Sequence, residues 1–230
     1  LRGNDRTRFR TWNFEATPEV TKTYHAVEIA VLDLVARYEG CPLSELVGGR
    51  KRDRIKLYGS AGMYMAPEKY AEEAAAIAGQ GFPAYKMRPG LGPDEDLRTA
   101  ALMREAVGPN VGIMIDAHTW WRMGEKSYTP GVIRDLARDL GAHRPTWLEE
   151  PLPPDDHAAY RALRATLSEG TGRGEARSVP IASGEHEQTL EGFVDLIETG
   201  AVDYVQMDVL CQGGFAMAGS IFELVETRGL

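Results

Sequence analysis

The feature of this sequence that most constrains its fold is a unit that repeats six times from Arg54 to Leu230. Each unit has a short apolar run, typical of a buried strand, followed by apolar residues at three- and four-residue spacing, typical of a helix. Continuous strand–helix alternation predicts a parallel sheet with helices packed outside it. The six predicted strands are 54–60, 84–90, 111–118, 146–152, 179–186 and 202–209.

Two architectures satisfy this alternation, a doubly wound open sheet and a (β/α) barrel. A closed barrel of this type has eight units, and the sequence holds six. We therefore expect either an open sheet or a barrel whose closing units lie beyond this sequence. In both architectures the functional groups gather at the carboxyl ends of the strands.

The first 53 residues do not follow the repeat. The stretch 21–40 predicts one long, largely apolar helix, and 41–49 predicts a short helix stopped by Gly48 and Gly49. The sequence thus divides into residues 1–53, a separate packed element, and residues 54–230, the repeating domain.

Composition excludes several classes of protein. The formal net charge of −8 argues against a nucleic-acid partner. No apolar run approaches the roughly 20 residues of a membrane span, and the N-terminal stretch lacks the pattern of a signal peptide. Cys41 and Cys211 form no disulfide framework or metal cluster, so we predict a reducing, cytoplasmic location.

Charged side chains recur at the carboxyl ends of five consecutive predicted strands. Alternation along a strand predicts that Asp116 and His118 point to the same face. The charged residues at these ends are Lys86 and Arg88, Asp116 and His118, Glu149 and Glu150, Glu185 and His186, and Asp208. Such a concentration of ionisable groups predicts a functional site.

Three of these carboxylates, Asp116, Glu149 and Glu185, come from adjacent strands and are predicted to converge. Close carboxylates raise one another's pKa unless a cation separates them, and oxygen ligands suit Mg²⁺. The alternative is a buried ion-pair network with Lys86 and Arg88. Strand geometry favours the metal site over that network.

Several neighbouring residues are open to two interpretations. Alternation from Trp147 favours Glu149 over Glu150 as the inward acid. His186 is either a functional group or a loop histidine, and Trp120 and Trp121 either line a pocket or pack beneath a loop.

The stretch 119–128 is predicted to be either a loop that determines substrate specificity or a lid that only excludes water. Within it, Arg122 is a candidate to bind a distal carboxylate or hydroxyl of the substrate.

The motifs YKMR, MIDAH, WLEEP, ASGEH and VQMDV…QGG, in that order, resemble the mandelate racemase group of the enolase superfamily. The resemblance covers nearly the whole chain. It implies an α+β capping domain, of which residues 1–53 would be part, and a modified TIM-type (β/α) barrel. It also implies a Mg²⁺ ion on Asp116, Glu149 and Glu185, with abstraction of the proton α to a carboxylate. The metal and Lys86 would stabilise the resulting enediolate.

Finer details of the motifs resemble acid-sugar dehydratases. The Asp-x-His pattern implies that His118 is the general acid for the departing hydroxyl. Asp208 looks like the aspartate that orients a histidine base from the seventh strand, which lies beyond Leu230. Arg88 stands where many relatives carry a lysine base, and arginine does not readily deprotonate. We expect Arg88 to bind substrate instead.

The resemblance implies a Mg²⁺-dependent lyase that converts a sugar acid to a 2-keto-3-deoxy acid, usually as a homo-oligomer. Trp120, Arg122 and His186 join Arg88 as candidate substrate-binding residues. A racemase, epimerase or cycloisomerase using the same intermediate is the alternative within enzymes. A truncated ligand-binding homologue without catalysis is the alternative of another class.

Overall fold

The computed structural model describes residues 18–169 and 179–230. Within these ranges the chain separates into two compact units. The first, which we call the sheet unit, comprises the described residues of 55–183 together with 199–204. The second, the helical unit, comprises residues 18–54, 184–198 and 205–230. Part of the predicted N-terminal element, residues 1–17, lies outside the described residues.

Helices and strands alternate from Gly59 onward as the repeat predicts. In chain order the elements are α1 (Pro18–Glu39), α2 (Leu43–Leu46), β1 (Gly59–Met63), α3 (Pro67–Gly79), β2 (Ala84–Arg88), α4 (Pro93–Val107), β3 (Gly112–Asp116), α5 (Pro130–Leu140), β4 (Trp147–Glu149), α6 (His157–Glu169), β5 (Ile181–Ser183), α7 (Leu190–Glu198), β6 (Tyr204–Val205) and α8 (Gly214–Arg228).

The strands form one sheet in the order β1-β2-β3-β4-β5-β6, and β1 to β5 pair in parallel. Every strand neighbours the next one in sequence, whereas a doubly wound sheet reverses its strand order at a switch point. The open doubly wound alternative is therefore wrong, and the progression is that of a barrel. The register places Asp116 opposite Glu149, so both carboxylates lie at the same level of the sheet.

Apolar side chains on the strands and the outer helices form the core of the sheet unit. Tyr85, Ile115 and Leu148 are buried on the strands, and Tyr70 and Met103 are buried on α3 and α4. Lys86 is also buried, at 5% exposure, but on the other face of the sheet, because successive residues of β2 alternate between faces. A buried lysine requires charged partners, and the site described below provides them.

All six predicted strands are longer than the observed ones, and the boundaries of the first and third have identifiable causes. The first strand spans Gly59–Met63 rather than 54–60, because its ladder with β2 begins at Gly59, and Ile55 and Leu57 remain exposed. The third strand ends at Asp116, because Ala117 leaves the extended conformation with φ −96° and ψ 13°. His118 therefore begins a 3₁₀ helix, His118–Trp121, instead of continuing the strand.

In the helical unit, the long predicted N-terminal helix is confirmed as α1, which packs against α8. His25 contributes to this contact, since its Nδ1 lies 2.8 Å from the Leu210 carbonyl oxygen and 3.1 Å from the Gly213 nitrogen. Among the described residues, no helix has the length and apolarity needed to cross a membrane.

Candidate active site

Lys86 is the centre of a buried charge cluster at the carboxyl ends of β2, β3 and β4. Its Nζ lies 2.7 Å from Glu149 Oε1 and 3.1 Å from Asp116 Oδ2. Burial lowers the pKa of Lys86, but the charges of Asp116 and Glu149 outweigh burial, and the net shift is upward. Lys86 is therefore a fixed positive charge near neutral pH rather than a proton acceptor.

Asp116 connects three positively charged or polarisable groups. Its Oδ2 also lies 3.2 Å from Arg88 Nε, and its Oδ1 lies 2.6 Å from His118 Nδ1. Burial alone would raise the pKa of Asp116. The hydrogen bond with His118 and the charge of Lys86 more than offset this effect and hold the pKa at about 2. Asp116 is consequently an anion throughout the physiological range.

Glu149 receives a second hydrogen bond from a residue on its own strand. The indole Nε1 of Trp147 donates to Glu149 Oε2 at 2.9 Å, because residues two apart on a strand share a face. Trp147 in turn contacts the rings of Tyr58 and Tyr204, with centroids 5.7 and 5.4 Å away. This aromatic packing restricts the indole and thus the orientation of the carboxylate.

The adjacent acid, Glu150, has different partners. It follows the end of β4 with a positive φ of 42°, and its Oε1 accepts from Ser183 Oγ at 3.4 Å. Its carbonyl oxygen accepts from Trp121 Nε1 at 2.9 Å. Glu149, rather than Glu150, therefore shares the Lys86 cation with Asp116.

The loop after β3 positions the remaining aromatic candidates. Trp120 is fully buried, and its Nε1 donates to Asp96 Oδ2 at 2.9 Å. This position agrees with the interpretation that Trp120 packs beneath the loop. Arg122 is exposed, and its guanidinium stacks on the Trp121 ring at 4.8 Å. Such stacking holds an arginine at the surface, where a ligand can reach it.

Three predicted site residues belong to the helical unit. Glu185 and His186 lie in the turn after β5, with His186 Nδ1 3.8 Å from Glu185 Oε1. The Gln212 amide donates to the Glu185 carbonyl. Asp208 lies beyond β6, where its Oδ1 accepts from the Leu210 and Cys211 nitrogens at 2.7 and 3.2 Å. Their proposed roles as ligand, substrate contact and base-orienting group remain predictions.

The oxygens of Asp116 and Glu149 fit a divalent cation such as Mg²⁺. A carboxylate oxygen has two acceptor positions, and Asp116 Oδ1 and both Glu149 oxygens each have one hydrogen-bond or ion-pair partner described above. Hard oxygen donors held rigidly in a buried site suit Mg²⁺. Lys86 and Arg88 already balance the two carboxylates, so a divalent ion would require further negative charge, which an anionic substrate can supply.

The structure therefore brings together five of the predicted residues, Lys86, Arg88, Asp116, His118 and Glu149. Sequence reasoning missed two of their neighbours, Trp147 on Glu149 and Tyr58, whose ring lies 6.0 Å from Lys86 Nζ. The signal for Trp147 was present, because it precedes Glu149 by two residues in a predicted strand. Nothing in the local sequence of Tyr58 signalled its position.

Comparison with known proteins places this geometry in a family. A family model for the enolase C-terminal domain-like fold matches residues 69–230. The D-galactarolactone cycloisomerase of Agrobacterium fabrum is 32% identical over 208 residues, covering 89% of this chain and 50% of that protein. The D-gluconate dehydratase of Thermoproteus tenax is 32% identical over 213 residues, covering 87% of this chain and 39% of that protein.

A solved structure agrees with the sequence relatives. The 3,6-anhydro-D-galactonate cycloisomerase from Zobellia galactanivorans superposes with a TM-score of 0.78 at 31% identity, covering 91% of this chain and 54% of that one. The fold is thus a TIM-type barrel domain, and the chain belongs to the enolase superfamily. The predicted resemblance to its mandelate racemase group is confirmed. The chain spans about half the length of the curated relatives it matches, or less.

Proposed function

We propose that the protein containing this chain dehydrates a sugar acid by α-proton abstraction and β-elimination of a hydroxyl, giving a 2-keto-3-deoxy acid. The observation that carries the proposal is the Asp116–His118 contact of 2.6 Å, next to a buried lysine that two carboxylates hold charged. This arrangement combines the Lys86 cation, which can stabilise developing negative charge, with a histidine that can transfer a proton.

Lys86 would supply permanent positive charge to the substrate carboxylate. The α-proton of a carboxylate is very weakly acidic, because its removal creates a second negative charge on the same group. A preorganised cation stabilises that charge as it develops and therefore lowers the barrier. A divalent ion on Asp116, Glu149 and, as predicted, Glu185 would add further positive charge at the same position.

His118 would act as the general acid for the leaving hydroxyl. Its Nδ1 faces Asp116, so Nε2 is the atom that would carry the proton to the β-oxygen. An anionic partner stabilises the imidazolium and fixes its orientation, as in other carboxylate–histidine pairs. Arg88, beside Asp116, would orient the substrate carboxylate or a hydroxyl, and Arg122 would contact its distal end.

Proton abstraction requires a base other than the two cations of the site. Lys86 is held protonated and Arg88 does not readily lose its proton, so neither described cation is suited to act as the base. We propose that a histidine oriented by Asp208 abstracts the proton.

We also propose that residues 1–53 form part of the capping domain and that residues 54–230 form most of the barrel. The protein would be a cytoplasmic homo-oligomer without nucleic-acid or membrane partners.

A cycloisomerase is the second candidate, because two relatives at 31–32% identity carry that activity. Racemisation or epimerisation is a further variant of the same enolate chemistry. Three relatives at 31–32% identity are named for acids or lactones of sugars, which supports a sugar-acid substrate for either candidate. The type of product, rather than the substrate class, separates these candidates.

The test uses the intact protein with Mg²⁺ and a panel of aldonic and aldaric acids and their lactones in heavy water. Proton NMR should show a 2-keto-3-deoxy acid with deuterium at carbon 3. Inversion with α-deuterium exchange alone would indicate an epimerase, and lactone interconversion without loss of water would indicate a cycloisomerase. No reaction with any member would favour the non-catalytic alternative.

Variants then test the assignment of His118. His118→Asn should reduce the dehydration rate by about 10²–10⁴, the usual contribution of general acid catalysis. His143→Asn is the matched control, because His143 lies in a separate 3₁₀ helix outside the cluster. An unchanged rate in His118→Asn would disprove the general-acid role.

A further inference from the structure

Asp96, a residue in the first turn of α4, is almost completely buried, at 1% exposure, and accepts four hydrogen bonds. Its Oδ1 accepts from the backbone nitrogens of Gly90 at 2.9 Å and Leu91 at 3.0 Å. Its Oδ2 accepts from Trp120 Nε1 at 2.9 Å and from the Tyr128 hydroxyl at 2.8 Å. Four donors on one side chain offset part of the cost of burying its charge, although burial still raises the pKa of Asp96.

These donors come from two different loops. Gly90 and Leu91 follow β2, which carries Lys86 and Arg88, whereas Trp120 and Tyr128 belong to the segment after β3. We call residues 89–92 the β2 loop and residues 118–128 the β3 loop. It begins with His118, which contacts Asp116. The Asp96 carboxylate therefore connects the β3 loop to the β2 loop.

Other contacts join the same two loops. The Thr119 hydroxyl donates to the Pro89 carbonyl, and the Gly92 nitrogen donates to the Tyr128 hydroxyl at 2.8 Å. Within the β3 loop, the Tyr128 nitrogen donates to the Trp120 carbonyl at 2.7 Å. Asp96 is the acceptor shared by both ends of the loop, since it binds Trp120 near one end and Tyr128 at the other.

We propose that Asp96 is a positioning residue: by tying the β3 loop to the β2 loop, it fixes His118 beside Asp116 in the orientation that the reaction needs. Its role in catalysis rests on the proposed function of His118, but its role in ordering the loop does not. Asparagine cannot replace it, because an amide nitrogen would face two hydrogen-bond donors in either orientation.

The first test is amide hydrogen exchange of the intact protein. Asp96→Asn should accelerate exchange in residues 118–128 by about ten-fold, with β3 and β4 unchanged. Tyr128→Phe removes one of the four donors and should have a smaller effect in the same place, so the test survives if Asp96→Asn fails to fold. Thr129→Ala is the control, because Thr129 caps α5 and has no bond to Asp96.

The second test asks whether Asp96 acts through His118. Asp96→Asn should reduce kcat about ten-fold with little change in KM. In a His118→Asn background the same substitution should have no further effect on kcat, because the group that it positions is gone. A purely structural role would reduce kcat equally in both backgrounds and would overturn the proposal.

The two readouts separate the failure of this inference from failure of the proposed function. If no sugar acid is converted, the proposed function fails, and hydrogen exchange alone decides whether Asp96 orders the loop. Unchanged exchange of residues 118–128 in both Asp96→Asn and Tyr128→Phe would overturn the inference, whatever the activity of the enzyme.

Discussion

The Nζ atom of Lys86 lies 2.7 Å from Oε1 of Glu149, and both side chains are almost completely buried. The same ammonium group contacts Asp116, so one cation separates two carboxylates that would otherwise repel each other. This arrangement balances the two carboxylates and helps to keep Asp116 ionised, since the charge of Lys86 lowers the pKa of that carboxyl. Lys86 should therefore contribute to the stability of the protein as well as to the proposed chemistry.

Replacing Lys86 by methionine should therefore destabilise the metal-free protein by about 3–5 kcal/mol, the usual cost of removing one partner of a buried pair. Mg²⁺ should restore more stability to Lys86→Met than to the wild type, since it separates the same carboxylates. Urea unfolding with EDTA and with Mg²⁺ measures both effects. The exposed Lys56→Met is the control, and equal Mg²⁺ effects in Lys86→Met and wild type would contradict the prediction.

His143 should make stability depend on pH near neutrality. Burial, and secondly the charge of Arg104, lowers the pKa of His143. The folded state thus disfavours protonation, and its stability should fall as pH drops below about 6.5, the pKa of an unfolded histidine. Relative to His143→Gln, the wild type should lose unfolding free energy between pH 7.5 and 5. A difference between the two proteins that does not vary with pH would refute this.

Gly184 should tolerate no side chain. It adopts φ +133°, and a Cβ atom would lie 2.2 Å from the Gln206 carbonyl oxygen, a backbone atom that cannot easily move. Gly184→Ala should reduce the free energy of unfolding by about 3 kcal/mol. Gly219→Ala provides the matched control, because no heavy atom lies within 4 Å of its Cβ position in α8.

In that control, alanine should raise stability by about 0.5–1 kcal/mol through its higher helix propensity. Urea denaturation of both variants gives the comparison. Equal effects of the two substitutions would show that the close approach to Gln206 does not constrain this position.

Much of the sheet unit could be predicted from periodicity. The order of strands and helices, and the position of Asp116 and Glu149 at adjacent strand ends, follow from apolar runs and their spacing. The first strand was misplaced because Ile55 and Leu57 have the apolar alternation of a strand but remain exposed. Pairing with β2, which no local pattern records, determines where β1 begins.

The contacts within the site were less accessible to sequence reasoning. Asp116 and His118 are in contact, as the sequence predicts, but the cause differs. A 3₁₀ turn brings His118 to Asp116, whereas the prediction rests on alternation along a strand. Asp96 gave no signal, because an acidic residue in the first turn of a helix is ordinarily explained by the helix dipole. Its partners Trp120 and Tyr128 follow it by 24 and 32 residues, and only loop folding brings them together.

The measurement that tests the account most directly is Mn²⁺ binding to the intact protein, followed by electron paramagnetic resonance. Asp116→Asn and Glu149→Gln should each weaken binding by about 100-fold or more, since even partners of metal ligands contribute roughly 10–100-fold. Glu150→Gln should have a smaller effect, and the exposed Glu125→Gln none. Unchanged affinity in Asp116→Asn and Glu149→Gln would contradict the metal site and leave these residues as an ion-pair network with Lys86 and Arg88.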